Sequence, residues 1–126
     1  MPENLLIEDD LHLAVASGIL ADVQTLVQDG YSVNSRDAEG RTPLHIAALN
    51  VYWQLIWYLA AEGADINAQD DDGNTALHLA VLFSNPFTVE ELMDLRARVT
   101  IVNAAGNTVL SLAHESFAMN HVAREA

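Results

Sequence analysis

An all-α solenoid of stacked helix-turn-helix units, joined by short turns and with little or no regular sheet, is the fold this sequence predicts. Three observations predict it. Gly40, Gly73 and Gly106 are 33 residues apart, as are Thr42, Thr75 and Thr108. Leu11, Leu44, Leu77 and Leu110 keep the same step, as do Ala14, Ala47, Ala80 and Ala113, and His12, His45 and His78 fall within it. Thr42-Pro43-Leu44-His45-Ile46-Ala47, a turn followed by a helix start, is the best copy of the repeated stretch. A fixed period of this kind marks units that cannot bury their apolar faces alone and must stack. Stability is then roughly a sum of unit terms and neighbour-interface terms, with no central core.

The Thr-Pro-Leu-His-x-Ala stretch on its 33-residue step resembles the ankyrin repeat. The resemblance covers nearly the whole chain as four units: about 4–36 as an amino-terminal cap, 37–69, 70–102, and 103–126 as a carboxy-terminal cap. It implies a single repeat domain and a non-catalytic role in binding other proteins.

The first unit lacks its turn, with Ile7 where Gly is expected and Asp9-Asp10 in place of Thr-Pro. Either aspartate can cap the helix of Leu11, Leu13, Ala14 and Val15, since a carboxylate accepts orphan N–H groups and meets the positive dipole end. Gly18 breaks the chain, and Ile19, Val23, Leu26 and Val27 form one apolar face of a second helix. Gly30 is placed to end that helix with positive φ. In the second unit Asp37 and Gly40 shape the turn, Thr42 is the N-cap and Pro43 takes the position where a missing N–H costs nothing. Its first helix runs to about Leu49. Val51 stands where the family usually has Gly, so the bend there is expected to be altered. A second helix is expected over about 53–61. The third unit opens with Asp70-Asp71-Asp72-Gly73, and Asn85 with Pro86 reads as N-cap and N1 of a helix over 87–95. Arg96 occupies the place of Gly30 and Gly63, where left-handed geometry is costly for a side chain. The fourth unit holds register through Asn103, Gly106, Thr108 and Leu110, with Ser111 in place of His, and a short polar last helix is expected over about 118–125.

Five Arg, no Lys and eighteen Asp and Glu give a formal charge of −13. Nucleic acid is an unsuitable ligand, because phosphate binding needs a basic footprint. An anionic membrane is disfavoured for the same reason. The acidity favours a partner protein with a basic patch, steered electrostatically; solubility of the stack would also account for it. The sequence has no cysteine, so disulfides and thiolate metal sites are excluded. The first ten residues have neither a basic region nor a long apolar run, and no stretch of about 18 apolar residues exists. A cytoplasmic location is the expectation, although a mature secreted form with an added Met1 would read identically. The oligomeric state is open, with a monomer favoured.

No cofactor or metal is expected. Equivalent histidines in adjacent units stand about 8–10 Å apart, whereas zinc needs each nitrogen at about 2.0–2.1 Å. Each ring is better read as hydrogen-bonding the turn backbone and tying one unit to the next. His114-Glu115 begins like a zincin helix, but Ala118 replaces the second ligand. Asp70-Asp71-Asp72-Gly73 resembles part of a calcium loop whose first and closing ligand positions are Ala68 and Leu79. The serines sit in no G-x-S-x-G context. An enzyme is therefore not expected.

In ankyrin-like stacks the turn tips and the exposed ends of the first helices line a concave groove. Carried onto this chain, the partner-binding positions are Glu39, Arg41, Asp71, Asp72 and Asn74 on the turns, with Leu49, Asn50, Leu82 and Phe83 on the helices. Leu49, Leu82 and Phe83 form an expected apolar centre, since sizeable apolar groups at positions that do not hold the stack suggest a contact patch. Glu39, Asp71 and Asp72 form an acidic rim. Trp57 falls on the outer face, as a second contact or as a filler between helices. Two roles compete: an inhibitor or immunity-type protein occluding an enzyme, which small size and acidity favour, and an adaptor holding a partner without inhibiting it. A metal-dependent or hydrolytic enzyme is a poor third, and departures at Val51, Pro86 and Arg96 speak against a consensus design.

Overall fold

The computed structural model describes residues 8–114, side chains from Asp10 onward, as an all-helical stack. Helices α1 (Glu8–Ser17) and α2 (Leu20–Gln28) form the first pair, α3 (Pro43–Leu49) and α4 (Trp53–Ala61) the second, α5 (Ala76–Leu82) and α6 (Pro86–Asp94) the third. A seventh helix, α7, begins at 109 and runs to 114, where the described residues end. No strand occurs among the described residues. The last helix expected over 118–125 lies outside them.

Within each pair the helices pack on each other, and α1, α3 and α5 pack side by side. Their contact surfaces are made of Leu and Ala on the 33-residue step: Leu11, Leu44 and Leu77 are fully buried, as are Ala47 and Ala80, with Ala48 and Val15 buried beside them. Small residues between large ones let neighbouring first helices approach closely and interdigitate. Leu55, Ile56 and Leu59 of α4 and Leu92 of α6 close the core from the second layer.

The helix starts follow from the sequence. Thr42 accepts a hydrogen bond from the His45 N–H, and the Thr42 N–H donates back to His45 Nδ1 at 3.0 Å. Thr75 and His78 repeat this, with the Thr75 N–H to Nδ1 at 3.2 Å. This is a reciprocal capping box in which His replaces the usual Glu or Gln. Nδ1 of His45 and of His78 accepts from a backbone N–H, so Nε2 is the nitrogen that donates to the next turn. The acceptors are the carbonyls of Arg41 (from His12, 2.7 Å), Asn74 (from His45, 2.8 Å) and Asn107 (from His78, 3.1 Å). The histidines therefore tie one unit to the next, as the sequence suggests. Ser111 keeps the local half of the device, its Oγ accepting from the Thr108 N–H at 2.9 Å.

Three features differ from expectation. Helix α1 begins at Glu8, ahead of both aspartates, so neither Asp9 nor Asp10 is its N-cap; Asp10 instead accepts a hydrogen bond from the Tyr31 hydroxyl at 2.9 Å. Ile19 precedes α2 and is exposed, so it does not join the apolar face of Val23. Asn85 precedes α6 as anticipated, but its side chain makes no capping bond. Where Gly is missing, the chain takes the left-handed conformation regardless: φ is +60° at Val51, +55° at Ser84 and +67° at Arg96. For an L-residue this costs about 1–2 kcal/mol each, and the repeated geometry of the stack, with positive φ at the equivalent Gly18, Gly30 and Gly63, imposes it.

Candidate protein-binding face

Each turn is built by one acidic or amide side chain. Asp37 Oδ1 accepts from the N–H groups of Glu39 and Arg41, Asp70 Oδ1 from those of Asp72 and Asn74, and Asn103 Oδ1 from those of Ala105 and Asn107. These bonds fold the backbone back on itself and push the next residues outward. Adjacent tips are joined by single backbone bonds, Asp71 N–H to the Glu39 carbonyl (3.1 Å) and Ala104 N–H to the Asp72 carbonyl (2.9 Å). Side chains make a second seam: Arg36 donates to the carbonyls of Gly40 and Gln69, and Gln69 repeats this 33 residues on, to Gly73 and Val102. With their backbones fixed this way, Glu39, Asp71 and Asp72 hold their side chains in solvent.

The ends of the first helices supply the apolar part. Leu82 is 47 % exposed and Phe83, the C-cap of α5, is 61 % exposed. Asn50, the C-cap of α3, is exposed and donates from Nδ2 to the Ile46 carbonyl at 2.8 Å.

Three expected contact residues are placed differently. Asn74 is buried, its Oδ1 accepting from Asn103 Nδ2 at 2.8 Å and its carbonyl taking the His45 bond; it is a seam between turns. Arg41 is half-buried with a buried Nε, and its carbonyl is the acceptor for His12. Leu49 is half-buried, which leaves the exposed apolar centre to Leu82 and Phe83. Sequence reasoning also missed Leu13, named only as part of the first helix and 65 % exposed. With Ala16 and Ile46 it floors a depression of about 400 Å³ walled by the turn residues Asp37, Ala38 and Glu39. The signal available was that Leu13 stands 33 residues before Ile46, on the helix face under the turn tip.

The family described as Ankyrin repeats (3 copies) matches residues 11–103 and 51–122. The chain belongs to the ankyrin repeats. Ankyrin repeats generally mediate protein–protein interaction and are generally non-catalytic. Over 40 residues the chain is 52 % identical to Rabankyrin-5 of Mus musculus, covering 32 % of this chain and 3 % of that protein. Over 37 residues it is 54 % identical to Rabankyrin-5 of Homo sapiens, covering 29 % of this chain and 3 % of that protein. Over 38 residues it is 50 % identical to Protein phosphatase 1 regulatory subunit 12A of Mus musculus, covering 30 % and 4 %. The chain thus spans only a few per cent of the length of these curated relatives.

On the outer layer of this ankyrin stack, Trp57 of α4 donates from Nε1 to Glu91 Oε2 of α6 at 2.9 Å while staying partly exposed. It bridges the two helices. Among the described residues no group of three His, Cys, Asp or Glu could hold a metal ion, and no helix is long and apolar enough to cross a membrane. Burial lowers the pKa of His45 most strongly, opposed by its bond to the Asn74 carbonyl and by Asp70, and aided by Arg36 and Arg41. The ring is thereby kept neutral, as its donor–acceptor role in the stack requires.

Proposed function

We propose that this chain is a non-catalytic module that holds a partner protein on the face formed by the turn tips and the ends of the first helices. Leu82 and Phe83 form the apolar centre, with Leu49 contributing its half-exposed edge. Glu39, Asp71 and Asp72 form an acidic rim that suits a partner with a basic patch. The observation carrying this reading is the exposure of Leu82 and Phe83 at repeat positions that give nothing to the core, beside exposed acids on rigid turns. An apolar centre with a polar rim is the usual anatomy of an interface.

Regulation of an enzyme partner by occlusion is the favoured form. The likeness to a protein named as a regulatory subunit of a phosphatase supports it. An adaptor that leaves its partner's activity untouched is the alternative.

A salt-washed pull-down from the native source, with mass spectrometry of what stays bound, tests the reading. Wild type is compared with a Leu82→Asp, Phe83→Asp variant of unchanged helicity. One stoichiometric partner, lost in the variant, is the expected result. That partner's activity, titrated with this chain, then separates regulator from adaptor. Reversing Asp71 and Asp72 to Arg should slow association and flatten its salt dependence, with dissociation little changed. Full affinity in both double variants would refute the assignment of this face.

A further inference from the structure

Charge is unevenly distributed along the stack. Residues 42–61 and 73–89 contain no Asp, Glu, Lys or Arg, although the chain carries eighteen acids. Both spans run down a first helix, round the bend and up the start of the second helix. The bend edge of the two central pairs is therefore free of formal charge, while the opposite edge carries the acidic turn tips. Large apolar groups are exposed along it: Val51 at the bend, Trp53 at the start of α4, Phe87 in the first turn of α6, and Phe83, where the edge meets the binding face. Trp53 and Phe87 are each 47 % exposed. The bend at Gly18 abuts the Tyr52 ring, so the first pair adjoins this edge, but exposed Asp22 near the start of α2 limits it there.

We propose that this edge pairs with the same edge of a second copy, giving a weak two-fold dimer. The charge distribution selects that occupant. Two copies of a chain at −13 repel wherever their acids meet, and the bend edge is the apolar surface of the central pairs where they do not. A basic partner is drawn to the tips instead. The seven-residue α3 spans about 10 Å, so edge-to-edge pairing puts the two sets of turn acids about 20 Å apart, roughly two Debye lengths at 0.1 M salt. Glu90 and Glu91, further along α6, leave a residual repulsion. The exposed aromatics with Val51 offer about 400 Å² per copy, about 800 Å² in total and below the roughly 1,000–1,200 Å² of stable specific interfaces, so only a weak, transient dimer follows, with a Kd of roughly hundreds of micromolar. An isologous patch of this kind closes at two copies.

Sedimentation equilibrium of the full chain at about 0.05 M and about 0.5 M salt tests this. A reversible dimer that tightens at least about threefold with salt is expected, the opposite sign from capture of a basic partner. Trp53→Glu with Phe87→Glu should weaken it at least about tenfold. Both positions lie in first helical turns, where an acid suits the dipole, so the variant keeps its far-UV spectrum. Trp53→Ala with Phe87→Ala serves as the uncharged check. A monomer up to about 1 mM in high salt, a dimer indifferent to both variants, or association that weakens with salt would overturn the proposal. So would binding of neutral phosphatidylcholine vesicles by a chain that stays monomeric. Phe83 borders both surfaces, so the two readings are separated by the Trp53→Glu, Phe87→Glu variant, which should lose the dimer and keep its pull-down partners, since Trp53 and Phe87 lie outside the proposed binding face.

Discussion

His45→Leu tests how the stack is held together. The ring is 1 % exposed, accepts from the Thr42 N–H within its own unit and donates to the Asn74 carbonyl of the next. Leucine fills much of the space and makes neither bond. The Asn74 carbonyl keeps its bond from the Asp70 N–H, so losing the His45 bond there costs about 0.5–1.5 kcal/mol. The buried Thr42 N–H becomes an orphan, at about 1–3 kcal/mol. A loss of about 2–4 kcal/mol is expected, a large part of the roughly 5–15 kcal/mol that holds a domain of this size. Urea unfolding followed by far-UV circular dichroism measures it. The pH dependence provides a second readout. Burial holds the folded pKa of His45 below its ordinary value. As pH falls below about 6.5 the unfolded chain takes up a proton that the folded chain refuses. Wild-type stability therefore drops with falling pH, by at most about 1.4 kcal/mol per pH unit from this group, until the folded pKa is reached. The leucine variant lacks that contribution, so the gap between the two proteins should narrow from neutral to mildly acidic pH. A loss below about 1 kcal/mol, or a gap that does not change with pH, would refute the hydrogen-bond account.

Three further substitutions check other parts of the structure. Gly73→Ala sets a Cβ 2.7 Å from the Ala104 backbone nitrogen at φ +75°, so stability should fall by at least about 2 kcal/mol in the same urea titration. Val51→Gly relieves a left-handed valine that is about a third exposed; after the entropy cost of Gly and the loss of the covered part of the side chain, a gain of up to about 1 kcal/mol and a raised Tm are expected. Phe83→Ala should leave stability within about 0.5 kcal/mol, because the ring is mostly exposed, while partner dissociation accelerates in surface-plasmon measurements.

The fold was legible because stacking forces every unit into one geometry, and one geometry repeats one set of residues. Thr42 and His45 predict the same capping bonds at Thr75 and His78, and both are found. The candidate binding face was only partly legible. A period places a residue on a helix face, but its exposure depends on what the next unit lays over it. Leu13, Ile46 and Leu79 share one repeat position, yet Leu13 is 65 % exposed, Ile46 half-buried and Leu79 only 3 % exposed. Asn74 reads as a polar tip residue until Asn103 of the following turn is placed against it. Asp9 and Asp10 read as caps because the turn signal is missing, and nothing in the spacing shows α1 starting earlier.

The inter-unit bonds of the three histidines all run one way, each Nε2 donating to a carbonyl 29 residues further along. Such a joint specifies what must follow it by geometry alone, like a plug that accepts any matching socket. Cutting out one whole period, residues 70–102, would present His45 with the Asn107 carbonyl in place of Asn74. The shortened chain should close up with its joints intact, losing one unit's share of stability and keeping the architecture. Lengthening by whole periods is open to it in the same way, whereas an insertion of any other length keeps the joints only if it loops out at an exposed bend.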